Sequence, residues 1–214
     1  MYNIKRGLIV SVQDTIAMHE QLIMVSLSDA VAVRTALGNL QNSAVSDCPV
    51  IGLTKRYING KNIITPSSDD VDELLAYYSD YIAVELSGYG MPLYELEKLL
   101  IDKKCAGKII CDIHRLDNAL QAQEMGASAV TTALSGYRGK NRCNQFDPPD
   151  LKLVEKCVEK LDIPVIAEGR YWTIEQIEEA FKLGAHSVCV GAAITRPDLI
   201  AKRFIERIKK CISI

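Results

Sequence analysis

Three side chains at the ends of short apolar runs have the types that proton transfer needs: Lys55 after PVIGLT, Asp112 after IIC, and Glu168 inside PVIAEGR. A lysine partly desolvated beside Arg34 and Arg56 has its ammonium form disfavoured by both effects, so it can serve as a base near neutral pH. Glu168 and Asp112 are placed to orient it or to exchange protons themselves. Two glycine turns close the chain's last quarter, PVIAEGR at 164–170 and SVCVGAAITRP at 187–197. Each leads from a Val/Ile/Ala run into a helix, where backbone N–H groups and the positive end of the helix dipole bind phosphate. A phosphate beside Gly169 and Gly191 predicts a small phosphorylated substrate with proton transfer at carbon. His19, His114 and His186 show no helical pairing and no dinucleotide glycine motif follows the first strand, so neither a metal nor a redox cofactor is expected.

Polar residues stand just past nearly every apolar run: Gln13, Arg34, Lys55 with Arg56, Glu85, Asp112 with His114, Ser135 with Tyr137, Glu168 with Arg170, and Arg196. Such a series describes a ring about one axis. Strands are expected at 7–11, 31–34, 49–54, 81–86, 108–113, 127–132, 163–167 and 186–190, with helices between them. The clearest helix is 173–183, where Thr173 and Gln176 form a capping box and Gly184 a stop. Others are expected at 69–78, 93–103, 115–125 and 198–208. Only about one helix fits between Ser11 and Val31, and 36–48 is a poor helix sequence, which predicts a short or irregular second crossover. Residues 56–65 and 136–149 are expected to lack regular structure and to lie at the strands' C-terminal face. The alternation predicts an α/β fold, a (β/α)8 TIM barrel with its site at that face, in a single domain spanning 1–214.

Composition excludes several function classes. With 25 basic and 27 acidic residues and a net charge of -2, the chain has no basic excess to attract nucleic acid. No run approaches a membrane span, and the N-terminus lacks a signal-peptide pattern. Seven cysteines without a C-x-x-C pair predict reduced thiols in a cytoplasmic protein.

In order, VSVQ, AVAVR, PVIGLTKRY, ITPSSDDVDELL, CDI, TTALSGY, PVIAEGR and VGAAITRP resemble the N-acetylmannosamine-6-phosphate 2-epimerase family over most of the chain. The resemblance implies a cofactor-independent (β/α)8 barrel of sialic acid catabolism that converts N-acetylmannosamine 6-phosphate to N-acetylglucosamine 6-phosphate. On its motifs Lys55 matches the catalytic lysine of I-G-x-x-K-R, Glu168 the acid of A-E-G-R, and Asp112 the acid of A-D-I. Gln13 and Arg34 match sugar-contacting positions, with Glu85, Tyr137 and Arg196 as further substrate contacts. Gly169, Arg170, Gly191 and Ala192 fall in the phosphate-binding turns together with Arg196. The resemblance also implies a homodimer with a phosphosugar as its small-molecule partner.

This sequence departs from the family pattern in three places. The segment before the VR arginine is shortened to DTIAMHEQLIM. IAVELSGYG stands for the family's A-L-D-A-T-K-R, so Glu85 replaces the aspartate, Ser87 the threonine, and the basic pair is gone. Ala192 replaces the second glycine of G-G-A-I-T-R-P, where a methyl group bears on a backbone–phosphate contact. The residues by themselves also fit a solvated Lys55, a turn carboxylate at Glu168 and a helix cap at Asp112. Another phosphosugar isomerase, an aldolase, or a non-catalytic phosphosugar-binding barrel would use the same glycine turns.

Overall fold

The computed structural model describes residues 2–13, 28–40, 48–77, 79–138 and 142–212. Its centre is a closed ring of eight parallel strands, β1 (Gly7–Val12), β2 (Ala32–Ala36), β3 (Val50–Leu53), β6 (Tyr81–Glu85), β7 (Ile109–Asp112), β8 (Ala129–Thr131), β9 (Val165–Glu168) and β10 (Ser187–Val190). β10 closes on β1, with Leu8 opposite Val188 and Val10 opposite Val190. The fold is a (β/α)8 barrel. Every expected strand is present, within a few residues at each end. Strands buried on both faces read as near-continuous Val/Ile/Ala runs, which is why these segments were legible. Ile9, Ala32, Ile51, Ala83, Ile110, Ala129, Ile166 and Cys189 form one buried cluster, and Val33, Ile82, Val84, Ile109 and Val130 pack with helix residues in another.

The helices are α1 (Leu37–Leu40), α2 (Ser68–Ala76), α3 (Leu93–Ile101), α4 (Leu116–Glu124), α5 (Leu151–Lys160), α6 (Ile174–Lys182), α7 (Ala192–Thr195) and α8 (Pro197–Ile212). α6 carries the expected capping box: the Gln176 N–H donates to Thr173 Oγ1, and the Thr173 N–H donates to Gln176 Oε1. α5 fills the place between the sixth and seventh expected strands, for which the sequence offered no bounds. Asp150 caps it, accepting from the Leu153 N–H at 3.0 Å, and Leu153, Val154 and Cys157 are its buried face. The first crossover and most of the second lie outside the described residues; α1 is a single turn. α8 buries none of its residues, and Phe204, Ile205, Ile208 and Ile212 are exposed along it.

Residues 56–65, expected to be irregular, are regular. β4 (Lys55–Ile58) and β5 (Lys61–Ile64) form an antiparallel hairpin outside the barrel, with Lys55 opposite Ile64 and Ile58 opposite Lys61. The register leaves a two-residue loop, Asn59-Gly60, and both residues have positive φ, 48° and 78°. That is the backbone of a type I′ turn, whose twist matches a hairpin and whose second position favours glycine. At the hairpin's base, the Thr65 N–H donates to the Thr54 carbonyl at 3.1 Å and the Thr54 N–H to Thr65 Oγ1 at 3.2 Å. These bonds hold Thr65 at φ 45°, an unusual backbone for a β-branched residue.

Candidate active site

Arg34, on β2, reaches through the barrel interior. β7 and β9 each lie three strands from β2 round the ring, in opposite directions. The guanidinium forks onto Asp112, Nη1 to Oδ1 at 2.9 Å and Nη2 to Oδ2 at 2.5 Å, while Nε lies 3.4 Å from Glu168 Oε1. Burial disfavours its charge, but the two carboxylates outweigh that and hold it charged above the usual arginine range. Two threonines at the end of β8 set the carboxylates. Thr131 Oγ1 donates to Asp112 Oδ1 at 2.7 Å. The Thr132 hydroxyl donates to the Glu168 carbonyl and accepts from the Glu168 N–H, both at 2.9 Å. Neither threonine was singled out from sequence; the only available signal was the polar pair closing an apolar strand.

Glu168 is the perturbed group of the site. Burial raises its carboxyl, Arg34 opposes the rise, and Asp112 adds to it, leaving a pKa of about 7. Among the described residues its Oε2 has no nitrogen or oxygen hydrogen-bond partner. A largely buried carboxyl held near neutrality can both hold and release a proton under working conditions.

Above these groups opens a cavity of about 550 Å³. Every residue expected in the site lines it except Asp112 and Glu85. Asp112 is fully buried beneath it as Arg34's partner. Glu85 is also buried, and its carboxylate takes Arg138 Nε at 2.6 Å, Arg138 Nη2 at 2.7 Å and the Ile64 N–H at 3.2 Å. Lys55 enters from the hairpin. Its neighbour Arg56 is bonded to Asp70 at 2.8 Å and Glu73 at 3.2 Å, so its charge is engaged on α2 rather than beside Lys55. Arg34's charge is likewise matched by Asp112 and Glu168, while Arg196 shares the cavity lining with Lys55.

The glycine turns flank the same cavity. A Cβ built on Gly191 would lie 2.5 Å from Gln13 Nε2, so this position must be glycine for the Gln13 amide to keep its place. Thr195 ties the turn to β1, donating to the Ser11 carbonyl at 2.9 Å and accepting from the Gln13 N–H at 3.2 Å. Ala192 begins α7, half-buried at the cavity wall. Arg170 has φ 63°, and its guanidinium is held by the Ser135 carbonyl and, at 3.0 Å, by the Pro148 carbonyl. It stacks 5.5 Å from the Tyr137 ring and so fixes the loop that carries Tyr137. Arg196 at the rim pairs with Asp198 at 2.6 Å. Sequence reasoning did not mark Asn62, Trp172 or Gln145, which also line the cavity; the Trp172 indole N–H donates to the Gln145 carbonyl at 2.9 Å.

A family model described as "Putative N-acetylmannosamine-6-phosphate epimerase" matches residues 18–210. The chain belongs to this family. Among its relatives, the putative N-acetylmannosamine-6-phosphate 2-epimerase of Clostridioides difficile strain 630 is 36% identical, over 96% of this chain and 97% of that one. A homologue of the same description from Clostridium perfringens strain 13 is 39% identical over 77% of this chain and 75% of its own. The solved N-acetylmannosamine-6-phosphate 2-epimerase from Clostridium perfringens superposes with a TM-score of 0.84 at 32% identity, covering 95% of this chain and 93% of that one. Membership in the epimerase family accords with a barrel mouth that gathers a lysine, a near-neutral carboxyl and a buried arginine.

Proposed function

We propose that this chain interconverts N-acetylmannosamine 6-phosphate and N-acetylglucosamine 6-phosphate without a cofactor, by removing and returning the C2 proton of the ring-opened sugar. The observation that carries the reading is Glu168, a carboxyl poised at about 7 on β9, which stands opposite β3 and its Lys55 hairpin across the eight-strand ring. In the open sugar the C1 aldehyde acidifies the C2 proton. Lys55 takes that proton and leaves a planar enolate. Glu168, its carboxyl raised toward neutrality by burial, returns a proton to the other face. The charge that develops on O1 is matched by Arg34, already fixed and charged before substrate arrives. Gly169, Gly191 and Arg196 hold the phosphate, with Arg170 and Ala192 shaping the same turns, so the distant end of the sugar stays fixed while its carbonyl end reacts.

The deciding experiment incubates the protein with N-acetylmannosamine 6-phosphate in deuterated water and follows C2 by NMR. Epimer carrying deuterium at C2 is expected, with both exchange and epimer lost in Lys55→Ala. Glu168→Gln is expected to exchange C2 without inverting it. Full epimerisation by Glu168→Gln would leave Lys55 as the sole proton carrier, and substrate binding without any C2 exchange would overturn the enzyme reading.

We further infer a homodimer, supported by the apolar line along α8, where Phe204 is 65% and Ile212 70% exposed. The cysteines, all free, suit a reducing cytoplasm.

A further inference from the structure

The Lys55 hairpin stands outside the barrel and is anchored to it through β5. Ile64, the cross-strand partner of Lys55, donates its N–H to Glu85 Oε2 at 3.2 Å. Two residues earlier on the same strand, the Asn62 carbonyl accepts from Arg138 Nη2 at 2.6 Å. Glu85 and Arg138 are themselves joined by two charge-assisted bonds, Nε to Oε1 at 2.6 Å and Nη2 to Oε2 at 2.7 Å. The Ser87 hydroxyl closes the remaining approach to Oε1. Both side chains are shielded, Arg138 10% and Glu85 0% exposed.

An ion pair that is bidentate, shielded and bonded at both ends to one strand forms a rigid bracket. The groups it joins come from three elements: the end of β6, the loop after β8, and β5. We propose that Glu85 and Arg138 are positioning residues that fix the height and tilt of the hairpin, and through the Ile64–Lys55 pair the place of the Lys55 amine over the cavity. On the hairpin's other side Arg56 grips Asp70 and Glu73 while half-exposed, so the shielded bracket carries the inner edge. Neither bracket residue touches substrate in this scheme. The inference rests on the reading of Lys55 as the base.

Displacing a reacting group by about 1 Å costs on the order of 100-fold in rate. Arg138→Met is therefore expected to lower kcat by about that factor with little change in KM. Arg138→Lys recovers only part of it, since an ammonium cannot fork to both Glu85 oxygens and also reach Asn62. Hydrogen exchange followed residue by residue gives a readout independent of activity. Ile64 is expected to lose protection in Arg138→Met while barrel amides such as Ile110 keep theirs. Removing one member of a shielded pair can unfold a protein, so the doubly substituted Glu85→Gln/Arg138→Met, which leaves no unmatched charge, is measured as well and is expected to show the same losses. Lys55→Ala runs in parallel. Full turnover by Lys55→Ala overturns the reading of the base. An inactive Lys55→Ala beside undiminished kcat in the folded Arg138 variants, or unchanged Ile64 protection, overturns only the positioning role.

Discussion

Glu168 is where a single side chain ties stability to the proposed chemistry. Its carboxyl stands at about 7 in the folded chain against an ordinary 4.5, because burial and Asp112 outweigh the attraction of Arg34. A group with a raised folded value binds more protons folded than unfolded between those pH values. Its stabilising contribution is therefore fully present below pH 4.5 and is lost as pH rises through about 7. Glu168→Gln stays neutral throughout and leaves the Arg34–Asp112 fork in place. Between pH 5 and 8.5 the unsubstituted protein is expected to lose on the order of 3 kcal/mol relative to this variant, since each pKa unit is worth about 1.4 kcal/mol. Thermal denaturation at the two pH values checks this, and a difference that does not change with pH would sink it. On the proposed mechanism the same titration is expected to set the alkaline limb of kcat, turnover falling as Glu168 loses its proton.

Among the elements, the hairpin and α6 show two ways in which short sequences hold their place. α6 begins where its local chemistry says it should, with a reciprocal cap at Thr173 and Gln176. Thr173→Ala removes an acceptor for one N-terminal N–H and is expected to cost about 1 kcal/mol. Urea denaturation measures it, and an effect below a few tenths would show that water replaces the cap without loss. The hairpin instead depends on remote groups, because a lone two-stranded ribbon is marginal in water. Its turn was legible in sequence, since Asn59-Gly60 lies between two short β-prone runs, yet Lys55, Arg56, Lys61 and Asn62 masked those runs as polar loop. α5 was hidden in a related way. Its cap, Asp150, follows directly on an irregular stretch closed by Pro148 and Pro149, so its start signal does not stand out from the loop before it.

For the whole molecule, closure of the ring brings into one space groups far apart in the chain: Arg34 and Asp112 are separated by 78 residues. The eight-strand ring itself has no open edge to pair with another copy, and the longest exposed apolar line lies on a helix. α8 offers its exposed Phe204, Ile205, Ile208 and Ile212. If α8 forms the proposed dimer interface, Phe204→Asp with Ile208→Asp is expected to sediment as a monomer at equilibrium while the far-ultraviolet circular dichroism is kept. A variant pair that sediments as the unsubstituted protein does would remove α8 from the interface.

Strand positions, the α6 capping box and most of the residues lining the mouth followed from the sequence alone, because burial on both faces, helical spacing and caps are local patterns that a chain carries in neighbouring residues. Lys55, Glu168, Gly169 and Gly191 were placed at one end of the barrel on that basis, and they line one cavity. Partnership was decided only by the tertiary structure. Arg34 spans the interior to two carboxylates, Arg56 turns to α2, Arg170 braces the Tyr137 loop, and Glu85 is drawn beneath the hairpin by Arg138. Each of these pairings joins side chains on different elements, where strand order and strand tilt determine who meets whom. A charge's neighbours in space, not its neighbours in sequence, set what it can do.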